Sequence, residues 1–142
     1  MNFRLIDHGS SEYTDGCALR HRVLRVPLGL SIYDEDLDAE VDDLHFGMFD
    51  GATLMAYVVL TDCGHERIRV RQMAVDTPYQ GQGVGRSLIE QVEADMRRRD
   101  FKTIILHSRK TVVAFYQRLG YKLAGEEFIE VTIPHVLMEK HI

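Results

Sequence analysis

"QMAVDTPYQGQGVGRSLIEQV", Gln72 to Val92, decides how the rest of this chain is read. Three glycines stand at alternate positions, Gly81, Gly83 and Gly85, between a strand-like apolar run and a helix-like one. Unpaired backbone N–H groups at the start of a helix attract anions. Glycine lets the backbone approach phosphate oxygens closely, in conformations other residues avoid. The stretch therefore reads as a phosphate cradle. Gln82 to Ser87 are the expected donors, and Arg86 adds a cation.

Two familiar phosphate patterns fail here. A P-loop, G-x-x-x-x-G-K-[ST], would need glycine at Gln80 and lysine at Arg86. A dinucleotide fingerprint, G-x-G-x-x-G, meets Arg86 when started at Gly81 and Leu88 when started at Gly83. A third pattern, [Q/R]-x-x-G-x-[G/A] between strand and helix, is complete as Gln80-Gly81-Gln82-Gly83-Val84-Gly85.

The strand ahead of the loop carries a second signal. Ile68 and Val70 are apolar at even positions, between Arg67, Arg69 and Arg71; beyond Gln72 the apolar residues Met73 and Val75 are at odd ones. A strand has period two, so the flip predicts a β-bulge near Arg71 or Gln72.

Working outward, strands are expected at Phe3 to Ile6, Leu44 to Phe49, Ala52 to Thr61, Glu66 to Val75, Phe101 to Leu106, Tyr121 to Val131 and Val136 to Lys140. Asp50-Gly51 marks a hairpin. The third strand is apolar on both faces, with Leu54, Ala56, Val58 and Leu60 on one and Met55, Tyr57 and Val59 on the other. That makes it a central strand. Helices are expected at Glu12 to Val26, Val84 to Arg99 and Thr111 to Leu119, the second with its buried stripe at Val84, Leu88, Val92 and Met96. The fold class is α/β, a mixed sheet with helices on both faces.

The stretch from Gln72 resembles the GNAT superfamily of acyl-CoA-dependent N-acetyltransferases, position by position through Pro78, Tyr79 and Gln80 into the helix. The resemblance implies a mostly antiparallel sheet splayed between its fourth and fifth strands. It implies that the loop binds the pyrophosphate of coenzyme A. It also implies that free backbone groups of Met73, Ala74 and Val75 hold the pantetheine arm, which gives the bulge a role. Acetyl-CoA is then the co-substrate, with no metal.

Phe115-Tyr116-Gln117-Arg118-Leu119-Gly120-Tyr121 matches a second family region. The resemblance implies that Tyr116 protonates the leaving thiolate. A phenol of pKa about 10 can protonate a thiolate whose thiol has pKa about 8.5, while the Val75 N–H polarises the carbonyl. Many relatives carry asparagine where Arg109 stands. The general base is left open among Glu40, His45, Asp76, His107, His135 and a water relay.

Composition bounds the rest. The 142 residues suit one domain, residues 1–142, large enough to bury a core. Cys17 and Cys63 form no metal or disulfide framework and are expected as free, buried thiols. The N-terminus has no apolar signal-peptide core and no run is long enough to span a bilayer, so a cytoplasmic protein away from membranes is expected. A net charge of −5 and the absence of a basic stripe argue against nucleic acid. Seven acids lie between Asp34 and Asp43, where they could steer a cationic amine.

The expected function is transfer of an acetyl group from acetyl-CoA to a primary amine on a small molecule or peptide, directly, in a ternary complex. The alternative is an inactive coenzyme A sensor or interaction module, against which the retained Tyr116 speaks. Homodimers are common in the family, and no residue here decides for or against one.

Overall fold

Seven strands form one sheet in a computed structural model that describes residues 1–142. They are β1 (Asn2–Leu5), β2 (Leu44–Asp50), β3 (Thr53–Gly64), β4 (Arg67–Val75), β5 (Thr103–Arg109), β6 (Lys122–Glu130) and β7 (Ile133–His141). Their order is β1-β2-β3-β4-β5-β7-β6, and only β4 and β5 run parallel. The helices are α1 (Ser11–Arg20), α2 (Val84–Arg98) and α3 (Val113–Arg118).

Helix α1 begins where the Ser10 side chain accepts from the Tyr13 N–H. It is shorter than the expected helix. A π turn takes over at His21–Arg25 and a 3-10 turn at Val26–Leu28, where Pro27 and the left-handed Gly29 stop regular helix. Helix α2 covers the opposite face, and its Leu88, Ile89, Val92 and Met96 are fully buried. Two cores result. One lies between the sheet and α2, joined by Tyr116 and Tyr121; the other lies under α1.

The central strand β3 serves both cores, but not with the predicted faces. A register shift sets Met48 opposite Ala56 and Phe49 opposite Leu54, so Met55 is an extra residue. It moves Met55 to the α2 core and Leu54 to the α1 core, reversing the assignment of these two. Strand β7 also starts earlier than expected and includes Pro134. Pairing with β5 begins only at His135, so the missing N–H of Pro134 costs no bond there.

The bulge in β4 lies where the parity flip put it. Arg71 pairs with Val59 and Ala74 with Tyr57, so Gln72 and Met73 together oppose Val58. Gln72 has φ +48, the left-handed region. Before the bulge Ile68 and Val70 face α2; after it Met73 and Val75 do, while Ala74 enters the α1 core. The β4–β5 ladder ends at Val70 opposite Leu106, although both strands continue. The sheet is open between its fourth and fifth strands.

Candidate active site

A cleft of about 740 Å³ runs through that opening. At one end lies the glycine loop. Gly81 and Gly83 have φ of +75 and +79, and Gly83 is the residue from which α2 starts. No backbone N–H from Gly81 to Arg86 donates to a backbone acceptor outside α2, so these groups are free for a ligand, and all of these residues but Gln82 line the cleft. The row stops there, because Ser87 N–H donates to Gly83 at 3.0 Å. Gly85 needs no special φ, but an added Cβ would stand 3.3 Å from Val75 and 3.4 Å from Phe115.

The glutamines of the loop are braces. Gln80 Nε2 donates to the Val75 carbonyl at 2.9 Å and Gln82 Nε2 to the Pro78 carbonyl at 2.9 Å. Gln80 thereby ties the loop to the strand that ends at the cleft. Arg86 borders the cleft with its Nε on Glu90, 2.8 Å away, and both side chains are largely exposed. Gln82 and Ser87 do not line it.

Strand β4 forms the wall. Asp76 N–H donates back to Met55 on β3, 2.8 Å. Strand alternation then turns the N–H of Val75 away from β3, toward the opening. Met73, Ala74 and Val75 all border the cleft, with Ala74 paired to Tyr57.

Tyr116 comes from α3 to the same space and is 7% exposed. The other buried tyrosine hydroxyls are spoken for: Tyr13 by Glu40, Tyr57 by His45 and Tyr121 by Glu93. Tyr116 has no such partner. Burial pushes its phenol up to about 12, so it carries its proton throughout the physiological range.

The far end of the cleft holds His107, Glu130, His135 and Arg69. His135 Nδ1 lies 2.9 Å from the Ile133 carbonyl, which can only accept, so Nδ1 carries the proton and Nε2 is left as the basic atom. Glu130 Oε2 is 3.8 Å from that Nε2. At His107 two groups compete for Nδ1, Arg69 Nη2 at 2.7 Å and Glu130 Oε1 at 3.1 Å. Arginine only donates and carboxylate only accepts, so a ring with Nδ1 bare serves Arg69 and a ring protonated at Nδ1 serves Glu130. Burial raises the Glu130 carboxyl, but the His107 hydrogen bond, Arg69 and His135 outweigh it and hold it below its ordinary value.

Three other base candidates are elsewhere. Glu40 is buried, with Oε1 at 2.7 Å from Arg20 Nη2 and 2.7 Å from the Tyr13 hydroxyl. Burial raises its carboxyl, and Arg20 more than reverses that. His45 is 1% exposed; Nε2 donates to the Glu40 carbonyl at 2.9 Å and Nδ1 accepts from Tyr57 at 2.8 Å. Burial holds it below the usual imidazole range. Asp76 pairs with Arg22 at 3.1 Å and caps its own turn through Thr77. None of the three borders the cleft.

Sequence reasoning missed Arg20, Arg69, Glu130 and the work of Arg109. Arg20 is fully buried and joins Glu40 to the bulge through Gln72 Oε1, 2.9 Å away. The only warning in the sequence was an arginine on the apolar side of an amphipathic stretch. Arg109 is half-buried and donates to the Leu24 carbonyl at 2.9 Å, closing the cleft against the π turn. Three of the seven acids in the acidic segment are clamps: Glu35 holds Arg25, Glu40 holds Arg20 and Asp43 holds Arg71. Cys17 is a buried free thiol, but Cys63 is exposed on the β3 end, correcting the expected burial. No helix is long and apolar enough to cross a membrane.

Comparison with known proteins agrees with this architecture. The sequence pattern described as "Acetyltransferase (GNAT) domain" matches residues 31–142. YyaT of Bacillus subtilis is 28% identical over 134 residues, 86% of this chain and 88% of that protein. The structure of ElaA from Escherichia coli superposes with a TM-score of 0.82 at 22% identity, covering 98% of both chains. An aminoglycoside 6'-N-acetyltransferase solved with coenzyme A gives 0.76 at 17%, covering 99% of this chain and 97% of the other. A bulged, splayed sheet whose opening meets a row of free N–H groups and a family pattern spanning most of the sequence lead to one conclusion: the chain belongs to the GNAT acetyltransferases, the family that moves acyl groups from coenzyme A.

Proposed function

We propose that this protein transfers an acetyl group from acetyl-CoA directly to a primary amine within a ternary complex. The observation that carries the reading is the meeting, in one cleft, of the free N–H row of Gly81–Arg86, the outward N–H of Val75 and the unpartnered hydroxyl of Tyr116. The co-substrate supplies the acyl group as a thioester, so that one C–S bond is exchanged for a C–N bond.

The residues divide the work. The N–H groups from Gly81 to Arg86 hold the pyrophosphate at the start of α2. Met73 and Val75 offer the pantetheine arm an unpaired strand edge. The Val75 N–H faces the oxygen on which negative charge develops. Tyr116, kept protonated by burial, gives its proton to the leaving sulfur. His135 takes the proton of the attacking amine on Nε2, directly or through one water, and Glu130 stabilises the imidazolium that forms.

Calorimetry with acetyl-CoA, followed by a thiol-release assay over a panel of amines, tests the whole reading. Micromolar binding and amine-dependent thiol release are expected. Binding with no release from any amine would favour a coenzyme A sensor, and no binding would remove both readings. Tyr116→Phe should lower kcat about 100-fold with coenzyme affinity unchanged; a wild-type rate would remove the acid assignment. His135→Gln should lower kcat about 100-fold with coenzyme affinity unchanged; an unaltered kcat would assign the base elsewhere.

A further inference from the structure

The geometry points to an acceptor that carries a carboxylate beside its amine, a small amino carboxylate whose anion is bound by Arg109. This rests on the transferase reading above and narrows its substrate class.

The acceptor half of the cleft is rich in guanidinium groups. Arg25, Arg69, Arg71 and Arg109 all line it. Three have a carboxylate. Arg25 is held by Glu35, with contacts of 2.7 and 3.3 Å; Arg69 lies 3.3 Å from Glu130 and Arg71 3.3 Å from Asp43. Arg109 has none. Its hydrogen bond within the protein goes to the Leu24 carbonyl, which also accepts from Arg25 Nη1 at 3.2 Å. Two guanidinium groups therefore share one neutral oxygen. With neutral histidines, four cations face three anions, and the surplus positive charge falls on Arg109.

That surplus is costly where it stands. Burial, and then repulsion from Arg25, lower the pKa of Arg109, so its charged form is destabilised. Arginine stays charged regardless, and a carboxylate relieves both effects. The planar guanidinium matches a carboxylate in two parallel hydrogen bonds. An acceptor with cationic groups only would meet Arg109 unscreened and pay for it.

Arg109 is placed for the acceptor and not for the coenzyme phosphates. Its alternation partners on β5, Ser108 and Leu106, are buried toward α2, so Arg109 and His107 project to the α1 face. The bond to Leu24, on the turn that follows α1, fixes that direction. The donors from Gly81 to Arg86 begin α2, on the other face of the sheet. His107, His135 and Glu130 line the same cleft as Arg109, so an amine at the basic end and a carboxylate at Arg109 suit one short molecule.

The test uses the full-length protein and matched pairs, each amino acid against its own amide, in a thiol-release assay with acetyl-CoA. The amine of an amide is the less basic, so a larger fraction of it is free to attack, and intrinsic reactivity favours the amide. We expect the reverse for at least one pair, with kcat/KM for the acid about 10-fold or more above the amide. In Arg109→Gln, which keeps a neutral hydrogen-bond donor at this position, that ratio should collapse about 10-fold or more. Equal use of acid and amide throughout the panel would overturn the inference while leaving the transferase reading intact. So would an Arg109→Gln variant that loses both substrates in equal measure.

A binding arm needs neither turnover nor the variant. Calorimetry of the wild-type protein saturated with coenzyme A should show the acid binding and its amide not. If no amine supports thiol release, the transferase reading falls, and selective binding of the acid still decides whether Arg109 is a carboxylate site. Failure of that selectivity overturns it.

Discussion

The two ends of the cleft are built from different material. The end proposed for the coenzyme is backbone: a left-handed glycine at the start of α2, an extra residue in β4, and N–H groups that the fold leaves unpaired. The end proposed for the acceptor is side chain: arginines clamped by carboxylates far away in sequence, 28 residues apart for Arg71 and Asp43 and 61 for Arg69 and Glu130. Backbone can recognise what every acyl donor of this kind has in common. Side chains can be exchanged to suit an acceptor. The same separation predicts that substitutions at the two ends fail in different ways.

The largest effect is expected from Arg20→Met, which leaves the Glu40 carboxylate buried without its partner. Removing one member of such a pair costs about 3–5 kcal/mol, measurable by urea unfolding. Arg20 also holds Gln72, so coenzyme affinity should fall with stability. Unchanged affinity in the folded variant would make the bulge independent of the buried pair.

Gly83→Ala comes next. It forces a side chain into φ +79, at a cost of about 1–2 kcal/mol. An unchanged unfolding midpoint would mean that α2 can start without a left-handed residue. The smallest effect is read through pH, at a group outside the cleft. The folded-state pKa of His45 lies below its unfolded value because of burial. Between those two values the unfolded chain binds more protons, so stability falls as pH drops below about 6.5, by at most about 1.4 kcal/mol per pH unit. Glu40, also depressed, adds a loss at lower pH, as conditions pass below the unfolded carboxylate value of 4.5. His45→Gln should flatten the stability profile between pH 7 and 5; an unaltered slope would assign it to another group.

The contrast also explains what could be learned from the sequence. The glycine loop and the bulge at Gln72 were legible because each is a local pattern, a spacing or a parity, that the backbone obeys whatever surrounds it. The bulge at Met55 was not, because both faces of β3 are apolar and a slip of one residue changes no pattern. The clamps were hidden for a different reason. Nothing near Arg20 in the sequence announces Glu40, and Glu130 became part of the cleft only when the β6–β7 hairpin folded beside β5. Arg109 stood in plain view within a recognised motif, but its direction depends on a π turn that hydrophobic periodicity cannot foresee.

The extra residue in β4 has a consequence for how this chain can change length. Gln72 is one insertion, taken up as a bulge, so that the residues on either side of it keep their faces. Deleting it would put Met73 directly after Arg71 in plain alternation, with Met73 and Val75 still toward α2 and Ala74 still toward α1. The strand could then pair regularly past Arg71, and the ladder with β5 would be free to close toward Val75. Loss of position 72 is a change of length that the two cores can absorb and the cleft cannot.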